Sequence, residues 1–258
     1  MNLSVNGPMK LFAIETPLGD IVVTQTVATL IAVSLFLIII SLVIKSRLKK
    51  RPGGFQVVVE KLVSMLYGLV EDTMGKHNVK FAPYIGTLFL SSIFGTLLGM
   101  TQIFRSATAD LSVTLAWAIV TSVLVWFFNI KNFGFKAWLK GFTEPIIVMT
   151  PMNIVSEIAQ PISMAFRHFG NVAGGSVLTS LIYGALASLS SLVFGLIPGM
   201  ISEIPFFQVG IPAVLSIYFD LFSGFVQALV FSLLTMVYVG AACPPPSEVG
   251  AAEKSENK

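Results

Sequence analysis

The chain has 258 residues, 55% of them hydrophobic and 11% charged, whereas a soluble domain carries charge on about a quarter of its residues. Its mean hydropathy of +0.85 excludes an ordinary soluble all-α core, which would have to hide nearly every side chain it owns. One cysteine excludes a disulfide framework and a cysteine metal site, two histidines leave little for a histidine one, Gly174-Gly175 lacks the Lys-Ser or Lys-Thr of a phosphate loop, and no cofactor is expected.

In chain order, residues 27–44 form the first apolar run, long enough at 1.5 Å per residue to cross a hydrocarbon core of about 30 Å. It follows acidic Glu15 and Asp20 and is too long for the core of a cleaved signal peptide. The basic stretch from Lys45 to Arg51 comes next and marks the cytoplasmic side, which puts the N-terminus outside. Pro52-Gly53-Gly54 interrupts the helix. In residues 55–75, Phe55, Val58, Val59, Leu62, Leu66 and Leu69 recur at helical spacing opposite Glu60, Lys61, Ser64, Glu71 and Asp72. This predicts an amphipathic helix lying in the membrane interface.

Residues 81–100 and 111–130 predict two further spans, joined by an outer loop with Arg105 and Asp110 and held inside by Lys76, Lys80, Lys131, Lys136 and Lys140. Residues 145–196 and 206–242 are then far longer than one perpendicular span requires, so they must tilt, bend or lie partly along the membrane. Pro151, Pro161 and Gly170 are natural bend points in the first of them. Residues 243–258 are a cytoplasmic tail. The fold class is therefore an all-α integral membrane protein in a single membrane domain, with five spans, one interfacial helix, and the last two helices long and tilted. Of sixteen basic residues, thirteen fall inside, Lys10 and Arg105 outside, and Arg167 within the bilayer. That asymmetry accounts for the net charge of +3 without nucleic acid. The inner cell membrane is the expected location, with the C-terminus in the cytoplasm. No internal repeat of the kind that builds many secondary transporters is visible.

Arg167 stands out. A guanidinium keeps its proton, and placing it mid-bilayer costs at least about 2.5–3.5 kcal/mol. It either serves the protein's function or is held in a buried ion pair with Glu157 or Asp220. Ser156, Gln160, Ser163, Arg167, Asn171 and Gly174 share its helix face at three- and four-residue spacing, and Gly170 is a further small residue on that helix. Small residues let a second helix approach closely, and polar ones line a wet path. Ordinary packing within the chain would explain Ser163 and Gly174 but not the cation. On the last helix, Ser216, Asp220, Ser223 and Gln227 align by the same spacing rule. Asp220 is either an ion acceptor in an aqueous cleft or a structural partner of Arg167.

The segment Pro161-Ile-Ser-Met-Ala-Phe-Arg167-His-Phe-Gly-Asn171 resembles the signature of F-type ATP synthase a subunits, in which an essential arginine precedes Phe-Gly-Asn. Thr108-Ala-Asp110-Leu, Gly54-Phe-Gln56, Gln227-Ala-Leu-Val-Phe and Leu-Thr-Met-Val-Tyr238 match that family too, in order, over about residues 26–242. The resemblance implies a membrane stator subunit without a catalytic site of its own. Its two long helices would cup a rotating c-ring, and two offset aqueous half-channels would reach the ring from opposite sides. Arg167 would face each returning ring carboxylate, favour its ionised form, release the ion and block leakage. Gln227 matches a glutamine that lies near that arginine, and Asn171 belongs to the signature. Ser176 stands where the best-known bacterial pattern has Glu, and Asp220 where it has His, so the outer half-channel carboxylate falls to Asp220 with Ser176 beside it. Glu157 and Asn153, on the inner side of Arg167, would serve the inner half-channel. The implied partners are the c-ring, the b-type peripheral stalk, the soluble ATPase head through that stalk, and lipid.

Two other readings compete. A stand-alone transporter or channel would use Arg167 to bind an anionic substrate, but it would normally need more spans or a repeat. A plain membrane anchor leaves the buried cation unexplained.

Overall fold

The computed structural model describes residues 10–16, 19–100, 106–144, 146–194 and 217–246. Strands β1 (Lys10–Thr16) and β2 (Gly19–Thr24) form an antiparallel hairpin ahead of the first helix. Then come α1 (Gln25–Arg47), α2 (Gly54–Met74), α3 (Ala82–Met100), α4 (Leu111–Phe133), the short α5 (Phe135–Gly141), α6 (Thr150–Phe194) and α7 (Ser223–Ala242). Single 3-10 turns precede α3, α4 and α6, and a π turn at Ile217–Phe222 leads into α7. Among the described residues, five helices are long and apolar enough to cross a membrane: Gln25–Arg47, Lys76–Gly99, Leu111–Phe133, Ile147–Val193 and Ser223–Ala242. The protein is an all-α integral membrane protein apart from its hairpin.

Local chemistry sets the boundaries. Lys45 and Arg47 close the last turn of α1, where cations complement the helix dipole. Asp110 caps α4 by accepting from the Ser112 amide at 3.0 Å, and its other oxygen accepts from Thr26 Oγ1 at 2.6 Å. One carboxylate therefore starts α4 and ties it to the first turn of α1. Gly75 and Gly134 end α2 and α4 with φ of 82° and 85°, a conformation that side chains with a Cβ adopt at a cost.

The surface suits lipid. On α1 only Thr26, Thr29 and Val33 are buried, while Leu35, Ile38, Ile39 and Leu42 are exposed. Helix α2 exposes Phe55, Val58, Leu62 and Met65 and sends Val70 and Met74 into the core. There they pack with Phe81, Ile85, Met236 and Val239. A second cluster joins Leu88 of α3, Ala118 of α4, Met164 and Ala165 of α6, and Phe231 of α7. Between helices in lipid, association rests on close packing rather than on a hydrophobic gain. Gly224 illustrates this: a Cβ there would lie 2.7 Å from Thr96 Cγ2.

The C-terminal end of α7 is capped from elsewhere in the chain. Asn78 Nδ2 donates to the Cys243 carbonyl at 2.7 Å, and His77 Nε2 lies 2.8 Å from the same oxygen. Asn132 Nδ2 donates to the Ala242 carbonyl at 2.8 Å. The last carbonyls of a helix have no partner within it, and leaving them bare near hydrocarbon is expensive.

Two details differ from the expected helices, the start of α6 and the first described turn before α7, and other expected positions lie outside the described residues. Helix α6 runs without a break through Pro151, Pro161 and Gly170, 45 residues or about 68 Å, and starts at Thr150 rather than near residue 145. The expected last helix over 206–242 is described only from residue 217, and its first described turn is π rather than α. Residues 195–216, including Ser216, together with Arg105 and the tail from residue 247, lie outside the described residues.

Candidate functional site

Helix α6 places its residues so that Arg167 and His168, about 100° apart around the axis, face opposite environments. His168 is wholly buried. Its Nε2 lies 3.1 Å from Ser92 Oγ of α3, and its ring makes edge contacts with Trp117 of α4 and Phe231 of α7, at centroid distances of 6.1 and 5.3 Å. Four helices thus meet at this imidazole. Its inward anchorage turns Arg167 outward, where it is exposed and makes no ion pair or hydrogen bond among the described residues.

The face around Arg167 is open. Ser156, Ser163, Gly170, Asn171, Gly174 and Ser176 are exposed, and Gln160 partly so. A Cβ added at Gly170 or Gly174 would meet nothing within 4 Å. Ser176 itself turns its hydroxyl back to the Ala173 carbonyl at 2.8 Å, which satisfies its only proton inside the helix.

Asn171 brings α7 into the site. Its Nδ2 donates to Gln227 Oε1 at 2.5 Å, across 56 residues of sequence. Gln227 is only 3% exposed, so this contact supplies its buried carbonyl with a donor. The sequence expectation that Asp220 shares the Gln227 face assumed a uniform α-helix. The π turn at Ile217–Phe222 adds a residue to that stretch and resets the spacing. Only the backbone of Asp220 is described.

Glu157 does not pair with Arg167. Ten residues earlier on α6, about 15 Å along the axis, its Oε1 accepts from the indole Nε1 of Trp126 on α4. The Glu157 end of α6 borders a cavity of about 580 Å³ between α4, α5 and α6. Asn129, Phe133, Trp138, Phe142, Asn153 and Glu157 are among its lining residues. Asn153 Nδ2 donates to the carbonyls of Phe142 and Glu144, at 2.9 and 3.1 Å, which straps the loop before α6 to the helix. At the rim, Lys140 and Glu144 pair at 3.5 Å with both side chains well exposed, a contact worth at most about 1 kcal/mol. The cavity therefore offers carboxylate and carbonyl oxygens in a space wide enough for water. No cluster of three metal-ligating side chains occurs among the described residues.

His168, Trp126 and the Thr26–Asp110 contact escape a reading of the sequence. Each is a contact between distant helices, and a polar or aromatic residue inside a span is the only signal it leaves.

The fold and the site are those of a polytopic helical membrane protein with an exposed guanidinium on its long α6, a half-buried amide pair beside it and a polar cavity at one end. The ATP synthase A chain family model matches residues 26–240, and the chain belongs to that family. It is 32% identical to the "ATP synthase subunit a, sodium ion specific" of Propionigenium modestum, over 88% of this chain and 78% of that protein. It is 33% identical to "ATP synthase subunit a 1" of Crocosphaera subtropica, over 81% of this chain and 82% of that protein. A subunit a of Enterococcus faecalis is 32% identical over 74% of this chain and 80% of its own length. As a member of that family the chain is a membrane subunit of an ion-translocating ATP synthase.

Proposed function

We propose that this chain forms two offset aqueous half-channels against the c-ring of a rotary F-type ATP synthase, with Arg167 between them. An ion entering from outside neutralises a ring carboxylate, and the neutral site rotates through lipid. On its return that carboxylate meets the guanidinium, whose positive charge favours the ionised form and drives the ion into the inner half-channel. The same fixed charge stops ions passing straight from one half-channel to the other.

The observation that carries this reading is the exposure of Arg167 on an open face of small and polar residues, without an ion pair among the described residues. A charge left unpaired at the edge of a membrane subunit calls for a partner from outside it. Gln160, Ser163, Gly170 and Gly174 form the ring-facing surface, and Asn171 with Gln227 holds the two helices in register behind the arginine. The cavity at Glu157 and Asn153 suits the inner half-channel. Asp220, with Ser176, serves the outer one. The N-terminus lies outside and the C-terminus in the cytoplasm of a cell whose plasma membrane holds the complex. The b-type stalk links the subunit to the soluble head.

Arg167→Ala is expected to abolish ion-coupled ATP synthesis in reconstituted vesicles while the complex still assembles; normal coupling in that variant refutes the role. Asp220→Asn is expected to slow ion passage without loss of assembly, and unchanged flux across pH counts against the outer path. Sodium dependence of ATP hydrolysis by the purified complex decides between protons and sodium as the ion. A stand-alone carrier, by contrast, would transport in vesicles without ring or head.

A further inference from the structure

The inner cavity has a chemistry that is set partly from behind its wall. Trp126 does not line the cavity, yet its indole N–H is bound to Glu157 Oε1. Glu157 Oε2 makes no hydrogen bond among the described residues, and Glu157 lines the cavity. Asn153, one turn away, has both amide protons committed to the carbonyls of Phe142 and Glu144, so its Oδ1 is the polar atom left to the cavity. No lysine, arginine or histidine lines this space.

From this arrangement we propose that Trp126 is a positioning residue for ion release: it holds the Glu157 carboxylate with one oxygen fixed and the other turned to the cavity. The proposal rests on the reading of this cavity as the inner half-channel.

An indole donates one hydrogen bond and accepts none. Trp126 therefore stabilises the carboxylate without becoming a stop on the ion's path. A charge-assisted bond of this kind is about twice as strong as a neutral one. It is also directional, so it selects one rotamer of a glutamate that would otherwise sample several. The geometry thus gives an ion leaving the region of Arg167 an acceptor on the cavity wall, one of whose oxygens makes no hydrogen bond among the described residues.

The test uses the whole complex reconstituted in vesicles, with ATP-driven ion pumping as the readout and native gel electrophoresis to follow assembly. Trp126→Phe keeps the aromatic packing and removes the donor. Glu157→Gln removes the charge. Pumping is expected to fall about tenfold in Trp126→Phe, the scale on which one hydrogen bond to a charged group is felt. The double variant is expected to match Glu157→Gln alone, because tryptophan acts only through the glutamate. Additive losses would overturn the proposal, as would wild-type pumping in Trp126→Phe beside impaired pumping in Glu157→Gln. Failure of Trp126→Phe to assemble, with Glu157→Gln assembling normally, would show the ring to be structural and would also overturn it. Wild-type pumping in Glu157→Gln would instead sink the inner half-channel reading itself.

Discussion

Asn171 and Gln227 show how one contact ties two helices together beside a fixed charge. Gln227 is buried on α7, and Asn171 reaches it from α6 with a single amide. Asn171→Ala removes the donor and leaves a buried carbonyl oxygen without it, at a cost of about 1–3 kcal/mol. We expect a lower unfolding midpoint for the purified complex and weakened coupling; an unchanged midpoint would show that another donor takes over. Arg167, Asn171 and Gln227 stood out in the sequence because a charge or an amide is costly inside a span, so its presence there carries information. Trp126 and His168 did not. An aromatic ring in a membrane helix is common, and what these two do depends on which residue of another helix they meet. Cys243 is a third case. It lies buried just beyond α7, and that burial raises its thiol pKa despite the opposing charges of Lys80 and Lys131. A raised pKa leaves less thiolate at a given pH, so Cys243 is expected to react with a maleimide far more slowly in the native complex than after denaturation. Equal rates would contradict its burial.

At the scale of elements, α3 and α7 approach closely because Gly224 has no side chain to hold them apart. A Cβ at 2.7 Å from Thr96 Cγ2 is a clash, so Gly224→Ala is expected to destabilise the subunit by about 1–3 kcal/mol. Thr96→Ser removes the clashing methyl and keeps the hydroxyl, so it should restore most of the loss; a failure to rescue would place the strain elsewhere. The five membrane-capable helices and the helix α2 were legible from the length and periodicity of the apolar runs. The N-terminal hairpin was not, since its two strands of 7 and 6 residues, Glu15 and Asp20 among them, carry no helical period and only a weak alternation. The π turn before α7 was not legible either, because spacing rules presume 3.6 residues per turn and a π turn violates them. Its effect falls on Asp220, the position whose place on the helix face depended most on that presumption.

For the whole molecule, the chain buries its core among five helices and leaves α6 largely uncovered along a length that exceeds any membrane. A helix of about 68 Å with an exposed guanidinium is incomplete as a free-standing structure. A second surface, proposed above to be the c-ring, belongs against the face carrying Arg167, Gly170 and Gly174. The most direct test is disulfide trapping in the assembled complex, between cysteines placed in the outer helix of the ring and a cysteine in place of either Gly174 of this chain or Leu42 on the lipid-facing side of α1. The account predicts that Gly174→Cys cross-links to the ring and stops ATP-driven rotation, whereas Leu42→Cys does neither. Cross-linking from Leu42→Cys but not from Gly174→Cys would contradict it.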